Sequence, residues 1–230
     1  PQNNGTALEI IDTTNNTVTT LTNFFSSSRN RNTSQLVGTK IYIPHDNGTA
    51  LEIIDTTNNT VTTLTNFFNA SRIRNTSQLV GTKIYIPQHN GTALEIIDTT
   101  NNTVTTYANF FNASRYRYTS QLVGTKIYIP QHNGRGLDII DTTNNTVTTD
   151  TGFFSASWNR YISHLVGTKI YIPQGSGTAL QIIDTTNNTV TTLDNFFNAS
   201  RFRITSQLVD DKIYIPEYRG TALEIIDTTN

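Results

Sequence analysis

The 230-residue chain contains no cysteine and no methionine, and it has only one tryptophan. Without cysteine it can form no disulfide, no thiolate nucleophile and no cysteine-ligated zinc or iron–sulfur centre. Charged residues make up only 14% of the chain, and 16 basic and 17 acidic residues leave a formal net charge of −1. A bulk electrostatic attraction to nucleic acid or to an anionic membrane is therefore not expected.

Long apolar runs and helical periodicity are also missing. No stretch approaches the roughly 20 apolar residues of a membrane-spanning helix, so we predict no membrane insertion. No segment carries apolar residues at helical spacing. Ile, Leu, Val, Phe and Tyr nevertheless recur at fixed intervals, so a packed core is expected rather than disorder. The chain opens at Pro1, as expected of a processed chain or of a piece of a longer one.

A 43-residue repeat organises the sequence. Its opening phrase, Gly-Thr-Ala-Leu-Glu-Ile-Ile-Asp-Thr-Thr-Asn or a variant of it, begins at Gly5, Gly48, Gly91, Gly134, Gly177 and Gly220. Five full units are thus followed by a partial copy over residues 220–230, and we treat residues 1–230 as one domain. A fixed period of about 20–50 residues is typical of solenoids, propellers and arrays.

Each unit contains four short segments that are typical of β-strands, which we label A to D. In one unit they cover residues 77–80, 83–86, 93–97 and 103–107. Pro87 stops the second segment, and the Asp-Thr-Thr-Asn-Asn that begins at Asp98 forms a turn. Four antiparallel strands per unit indicate the blade of a β-propeller. The sequence therefore predicts an all-β, five-bladed β-propeller of 43-residue four-stranded repeats.

The order of residues in each unit resembles a Kelch-type blade. Ser-Arg-x-Arg precedes Gln-Leu-Val-Gly-Thr-Lys-Ile-Tyr-Ile, which precedes Leu-Glu-Ile-Ile-Asp-Thr-Thr-Asn-Asn-Thr-Val-Thr-Thr. Pro-Gln or Pro-His replaces the Gly-Gly pair of the Kelch pattern, and Val, as at Val61, replaces its late Trp. The segment from Ile-Asp to Thr-Val is also similar to the Tyr-Val-Thr-Asn class of surface-protein propellers. Both resemblances imply a propeller, and the Kelch resemblance implies a rim that binds acidic peptides.

Strand C occurs once more than five complete blades require. It is present near both ends of the chain, within residues 6–12 and 221–227. Two explanations remain open at this point. The chain is a cut from a longer array, or the spare strand pairs with another chain, because unpaired strand edges favour such pairing.

Differences between the units fall at one predicted end of the propeller, in the B–C loops and the D-to-A connections. Arginine and aromatic residues alternate in those connections, and they favour binding of acidic groups or sugar rings. The predicted ligand-binding residues are Arg31, Arg74, Arg115, Tyr116, Arg117, Tyr118, Trp158, Arg160, Tyr161, Arg201, Phe202 and Arg203. The alternative is structural, because an arginine repeated in nearly every unit could instead hold carbonyl groups or an acidic residue of the next blade.

The motifs of common enzymes and metal sites are missing from the sequence. His45, His89 and His132 recur one per unit, and none belongs to a local His-x-x-x-His pair. The Asp-Thr-Thr-Asn turns lack the glycine of a calcium loop, and no Gly-x-Ser-x-Gly elbow occurs. The copper-radical oxidases built on Kelch-like propellers need a Cys–Tyr pair, and this chain has no cysteine. We therefore expect no catalysis, no metal and no cofactor.

Asn-x-Ser/Thr sequons recur along the chain. They stand at Asn4, Asn15, Asn32, Asn47, Asn58, Asn69, Asn75, Asn90, Asn101, Asn112, Asn144, Asn187 and Asn198. Such sequons carry glycans in secreted proteins, or they arise simply because Asn-rich turns lie beside Thr-rich strands. The lack of cysteine and methionine and an uncharged, Thr/Asn-rich surface favour an extracellular or cell-surface setting.

Three functions are compatible with these patterns. The first is a non-enzymatic binding module with a multivalent Arg/aromatic rim for glycans or acidic ligands. The second is an extracellular structural or adhesive protein that self-associates through strand exchange of the duplicated terminal strand. The third is an engineered or consensus repeat scaffold, since the units that begin at Gly48 and Gly91 are nearly identical.

Overall fold

The computed structural model describes residues 5–229, and within that range the chain is all β, without a helix. None of these residues forms a helix long and apolar enough to cross a membrane. Contacts divide the chain into two compact units, with the boundary between Asn109 and Phe110. One sequon, Asn4, lies outside the described residues.

The first unit holds a hairpin and two four-stranded sheets. The hairpin consists of β1 (Leu8–Asp12) and β2 (Thr17–Leu21). The first sheet contains β3 (Gln35–Val37), β4 (Lys40–Pro44), β5 (Leu51–Asp55) and β6 (Thr60–Leu64) in that order. The second contains β7 (Gln78–Val80), β8 (Lys83–Pro87), β10 (Leu94–Asp98) and β11 (Thr103–Tyr107), while β9 (Asn90–Gly91) lies in its B–C loop.

The second unit begins with β12 (Arg115–Tyr116) and holds three larger sheets. The first of these contains β13 (Gln121–Val123), β14 (Lys126–Pro130), β15 (Leu137–Asp141) and β16 (Thr146–Asp150). The next contains β17 (His164–Val166), β18 (Lys169–Pro173), β20 (Leu180–Asp184) and β21 (Thr189–Leu193). The last has three strands, β23 (Gln207–Val209), β24 (Lys212–Pro216) and β25 (Leu223–Asp227). A two-stranded pair, β19 (Ser176–Gly177) with β22 (Arg201–Phe202), lies outside these sheets.

These sheets are the blades of a β-propeller, and the predicted five-bladed, all-β fold is confirmed. Four blades are complete, and the fifth has strands A, B and C within the described residues. Every main strand lies within about one residue of its predicted place, as Thr103–Tyr107 shows for strand D. Tight turns fix the antiparallel register, so that in one blade Tyr171 stands opposite Ile182 and Ile183 opposite Val190.

Blades pack through two different faces. One face carries the tyrosine of strand B and the leucine of strand C, and we call it the leading face. The other carries both isoleucines of strand B and the second isoleucine of strand C, and we call it the trailing face. Tyr171 and Leu180 of one leading face pack on Ile213, Ile215 and Ile226 of the next trailing face. The same contact recurs in the first unit, so both faces of a blade must be apolar, as the adjacent Ile96 and Ile97 had indicated.

The turns are stabilised by short polar side chains. In the C–D turn Asp141 Oδ1 accepts hydrogen bonds from the Thr143 amide at 2.9 Å and the Thr143 hydroxyl at 2.6 Å. Asn144 accepts equivalent bonds from Thr146 at 3.1 and 2.7 Å. The A–B turn needs a positive φ, which Gly167 adopts at 58°. Asp210 takes that place in the last blade with a φ of 52°.

Candidate functional site

The two arginines of each Arg-x-Arg segment lie in different environments. The second arginine of each pair is buried, with at most 8% of its surface exposed. These residues are Arg31, Arg74, Arg117, Arg160 and Arg203. The expectation that these five line an exposed ligand-binding rim is therefore wrong, and the structural alternative describes them correctly.

Arg74 shows how such a guanidinium is held. It lies 3.8 Å over the ring centre of Phe68. Its Nε and Nη2 donate to the two oxygens of Glu95 at 2.6 and 2.9 Å. Its Nη1 donates to the carbonyl of Gly48 at 2.7 Å. The arginine thus joins the B–C loop of one blade to strand C of the next, with its charge neutralised and its donors used.

The partner of the buried arginine varies from blade to blade. Glu52, Glu95 and Glu224 accept two hydrogen bonds each, and Asp138 forms a 3.0 Å ion pair with Arg117. Arg160 instead donates to the neutral amide oxygen of Gln181 at 2.8 Å. Burial lowers the pKa of Arg160 to about 9. A buried positive charge without a carboxylate partner is unusual and costly.

The first arginine of each pair stays at the rim and is anchored there. Arg115, one of the predicted residues, donates from Nη1 to Gln131 at 2.8 Å. Arg201, also predicted, donates to Glu217 at 2.8 Å and keeps 31% of its side-chain surface exposed. Trp158 occupies the equivalent place in its own unit, is half-buried and lies 6.0 Å from the guanidinium of Arg160.

Aromatic rings form a continuous row on the rim of the second unit. The ring centres of Tyr118 and His132 are 4.4 Å apart, and those of His132 and Tyr161 are 4.5 Å apart. The row continues from Tyr161 to Phe202 at 6.3 Å and from Phe202 to Tyr218 at 6.4 Å. We call these five residues the aromatic row. Phe202 and Tyr218 are the exposed members, at 46% and 43%.

Backbone pairing places the row. The amide of His132 donates to the carbonyl of Tyr116 at 2.8 Å, and the amide of Tyr218 donates to the carbonyl of Phe202 at 2.9 Å. The B–C loop and the D-to-A connection therefore lie side by side, as predicted for one end of an antiparallel blade. Tyr116 flanks the row and is 46% exposed. Tyr118, Tyr161 and Phe202 of the predicted set are thus brought together, with Tyr116 beside them.

Three residues of this surface were absent from the predicted set. His132 and Tyr218 are members of the row, and Gly175 makes room for it. A β-carbon on Gly175 would lie 2.6 Å from Tyr161 Cδ2 and 2.8 Å from the carbonyl oxygen of Asn159. The other units carry Asp46, His89, His132 or Tyr218 at this place, so the lone glycine was the available signal.

The rim of the first unit is chemically different. Asn32 and Asn75 occupy the places of Tyr118 and Tyr161. The amide of Asn32 donates to Asn75 at 3.0 Å and to Asp46 at 2.9 Å. The rim therefore changes from amide groups in the first unit to aromatic rings in the second.

Acidic and histidine side chains are scattered or paired with arginine. Within residues 5–229, no group of three or more His, Asp or Glu side chains is arranged to hold a metal ion. His45 is fully buried, and its Nε2 lies 3.2 Å from Glu52 Oε1. Burial opposes ionisation of Glu52, but the neighbouring His45 and the guanidinium of Arg31 outweigh it and lower the pKa of this carboxyl group.

Comparisons with known proteins support the fold. No family model and no curated protein matches the sequence. Among solved structures, the extracellular domain of a hybrid two-component system from B. thetaiotaomicron matches 96% of this chain with a TM-score of 0.65 and 13% identity. Hsv2 of Kluyveromyces lactis matches 98% with a TM-score of 0.61 and 11% identity, and BamB of Moraxella catarrhalis matches 93% with 0.58 and 12%.

These similarities concern the fold alone, because the identities are low. The chain spans only 29% of the B. thetaiotaomicron domain. It spans 64% of BamB and 68% of Hsv2. The β-propeller fold is therefore shown, whereas the resemblance to Kelch-type blades remains a prediction.

Proposed function

We propose that the chain is a non-enzymatic binding module whose aromatic row binds carbohydrate. The observation that carries this proposal is the unbroken series of ring contacts from Tyr118 to Tyr218. Sugar rings present C–H faces that stack on aromatic side chains, while their hydroxyl groups bond to neighbouring polar groups. An extended row suits a chain of several sugar units rather than a single small molecule.

Glycans fit this surface better than acidic peptides. Acidic ligands would need several free guanidinium groups, but the five buried arginines are enclosed in the protein, and the exposed arginine beside the row is Arg219, 5.1 Å from the ring centre of Tyr218. Arg115 and Arg201 are already hydrogen-bonded to Gln131 and Glu217. The aromatic members also cluster in the second unit, so we propose one extended site instead of five equivalent ones.

An extracellular or cell-surface location accompanies this proposal. It is supported by the similar structure from B. thetaiotaomicron, which is an extracellular domain. The recurring sequons are compatible with such a setting.

Glycan-array screening followed by calorimetry tests the proposal. We expect at least one oligosaccharide to bind, and Phe202→Ala to weaken its binding at least tenfold, which equals about 1.4 kcal/mol. Ile73→Ala is the matched control, because Ile73 holds the equivalent place in the first unit and is 39% exposed. Melting temperatures of both variants should stay near that of the wild type.

Two results would count against a carbohydrate site on this surface. One is unchanged affinity in Phe202→Ala and in Tyr161→Ala. The other is an array on which the wild-type chain binds no glycan, with acidic peptides binding instead.

A further inference from the structure

The two ends of the described chain carry the same strand. Strands β1 and β25 share the sequence Leu-Glu-Ile-Ile-Asp. Within residues 5–229, β1 pairs with β2 in a two-stranded hairpin to which no strands A and B belong. β25 is the edge of a sheet that lacks strand D within the described residues. The hairpin therefore holds the strand that the last sheet lacks.

Each end also exposes half of a blade-to-blade contact. On the leading face of the last sheet, Val209, Leu223 and Ile225 are 51%, 58% and 51% exposed. Leu180, which is the equivalent of Leu223 in the preceding blade, is only 1% exposed, because the next trailing face covers it. On the trailing face of the first complete blade, Leu36 is 59% exposed. Exposed patches of this kind are typical of interaction surfaces.

We propose that β25 of one copy of the chain takes the place of β1 on β2 of a second copy. The identical sequence allows the identical register, with Ile225 of one copy opposite Thr19 of the other, as Ile10 now stands opposite Thr19. The product is a complete four-stranded blade made of β23, β24 and β25 from one copy and β2 from the other. The exchange replaces one strand pairing with an equal one. The favourable free energy of association therefore comes from the apolar faces that become covered.

The exposed residues match in this arrangement. Val209 would cover Leu36, as Val37 packs in the same cluster as Leu79 inside the first unit. Leu223 and Ile225 would replace Leu8 and Ile10 against Ile43 and Ile54. Val18 of β2, now 59% exposed, would enter the place that Val190 holds against a leading face. One exchange thus covers large exposed apolar residues at both ends of the chain.

A groove is present where the incoming strand would lie. It has a volume of about 370 Å³ and follows the free edge of β25. Phe196, Phe197, Leu223 and Ile225 are among the residues that line it. In complete blades this edge is occupied by strand D, whose Leu193 stands opposite Leu180. Phe196 is 41% exposed here, and the incoming strand would shield it.

The resulting contact is head-to-tail. Each copy offers β25 at one end and β2 at the other, so the two contact surfaces differ. Such heterologous contacts build either closed rings of several copies or open filaments. The partner in this proposal is a second copy of the same chain, and assembly should increase with protein concentration.

Cysteine cross-linking gives a direct test, because the chain contains no cysteine. Thr19→Cys and Ile225→Cys are prepared as separate proteins of different size, one with an added tag, and are mixed in a glutathione redox buffer. Opposed residues in antiparallel strands have Cα atoms about 4.5–5.5 Å apart, which suits a disulfide. We expect a mixed disulfide dimer in clear excess over either homodimer. The double variant Ile10→Cys/Thr19→Cys is the control, since these residues are opposed within one hairpin.

Two outcomes would overturn the proposal. The first is a control disulfide that forms while the mixed dimer stays no more abundant than the homodimers. The second is a Thr19→Cys/Ile225→Cys double variant that closes within one chain at high dilution, because the exchange would then be intramolecular.

A second variant separates assembly from folding. Leu36→Asp changes a side chain that is already exposed, so the melting temperature at low concentration should stay unchanged. Self-association measured by light scattering should weaken at least tenfold. Thr39→Asp, in the exposed A–B turn nearby, should associate like the wild type. Association equal in both variants would contradict the proposed covering of Leu36 by Val209.

Discussion

At the scale of single residues, the buried arginine of each blade is the most informative feature. Four of the five arginines face a carboxylate, whereas Arg160 faces Gln181. The surrounding ring and carbonyl contacts are similar, with Phe154 lying 3.8 Å beneath the guanidinium. The chain therefore contains its own comparison between a neutralised and an unneutralised buried charge.

Replacing Gln181 with glutamate should stabilise the protein. The new carboxylate would neutralise Arg160 as Glu95 neutralises Arg74, and we expect a gain of about 1–2 kcal/mol in the free energy of unfolding. Urea denaturation at pH 7 measures it. Glu95→Gln is the reciprocal control, and its free energy of unfolding should fall by about the same amount or more. A Gln181→Glu variant no more stable than the wild type would show that the carboxylate's own desolvation cancels the gain.

His164 should make stability depend on pH near neutrality. It replaces the glutamine of the other units, contacts Ser206 Oγ at 2.6 Å, and has its pKa lowered below 6.5 by burial. Because the unfolded state takes up a proton first, stability should fall as the pH drops below about 6.5. Melting temperatures at pH 7.5 and 5.5 should therefore differ less in His164→Gln than in the wild type.

The reverse substitution controls this prediction. Gln121 occupies the same place and donates to the carbonyl of Ser163 at 2.7 Å. Gln121→His should increase the pH dependence. If neither variant alters the difference between pH 7.5 and 5.5, the titration of this position does not control stability.

Residue types in the rim were predictable from the sequence, but their roles were not. The spacing of Arg-x-Arg shows that two arginines recur, and it does not show which one faces the interior. That choice depends on Glu95 and Phe68, which lie 21 and 6 positions from Arg74 in the sequence. Likewise, the stacking of Tyr161 depends on the absence of a side chain at Gly175.

At the scale of strands and turns, the A–B turn of the last blade departs from the rest. Four units place a glycine there, at φ values of 58° or 59°, whereas Asp210 is held at 52°. A residue with a β-carbon is strained in this left-handed region, although Asp tolerates it better than most. The turn that precedes β24 is therefore locally weaker than its equivalents.

Restoring glycine in this turn should stabilise the last blade. We expect Asp210→Gly to raise the free energy of unfolding by about 0.5–1 kcal/mol, in line with the cost of the left-handed conformation. Gly167→Asp should lower it by a similar amount in the neighbouring blade. Chemical denaturation of both variants measures the pair. A loss of stability in Asp210→Gly would show that the aspartate side chain contributes more than the backbone strain costs.

Strands were the most predictable elements of this chain. Each strand is short, rich in β-branched residues and bounded by Pro, Gly or Asp-Thr-Thr-Asn. Because the unit is repeated, the same strand pattern occurs several times in the sequence. Strand D was predicted at Thr103–Tyr107, where it lies. The two-residue strand β22 (Arg201–Phe202) was not predicted, because it forms only through pairing with Ser176 and Gly177.

At the scale of the whole molecule, the six equivalent aspartates of the C–D turns should respond to acid together. Hydrogen bonds from a threonine lower the pKa of Asp12, Asp55, Asp98, Asp141 and Asp184, and that of Asp227 to about 2. Their folded pKa values lie below the unfolded value near 3.8, so the stabilisation is complete above about pH 4 and is lost as the pH falls further.

A charge-removing variant tests this response. Asparagine at positions 55, 98, 141 and 184 should preserve the turns, because Asn144 already accepts equivalent bonds from Thr146. Urea midpoints at pH 7, 4 and 3 should fall less steeply in this variant than in the wild type. If the urea midpoints of the variant and the wild type fall equally steeply, other groups cause the acid sensitivity. Glu52 is the first alternative, since its pKa is also lowered.

The arginines that join neighbouring blades within a unit, as Arg74 and Arg160 do, also have a mechanical meaning. A chain pulled from its two ends would load such guanidinium contacts, which recur with the 43-residue repeat. Each rupture would release about 150 Å of extended polypeptide, so force traces should show evenly spaced peaks. The contact of Arg160 with neutral Gln181 would break at the lowest force, and forced unfolding would begin there.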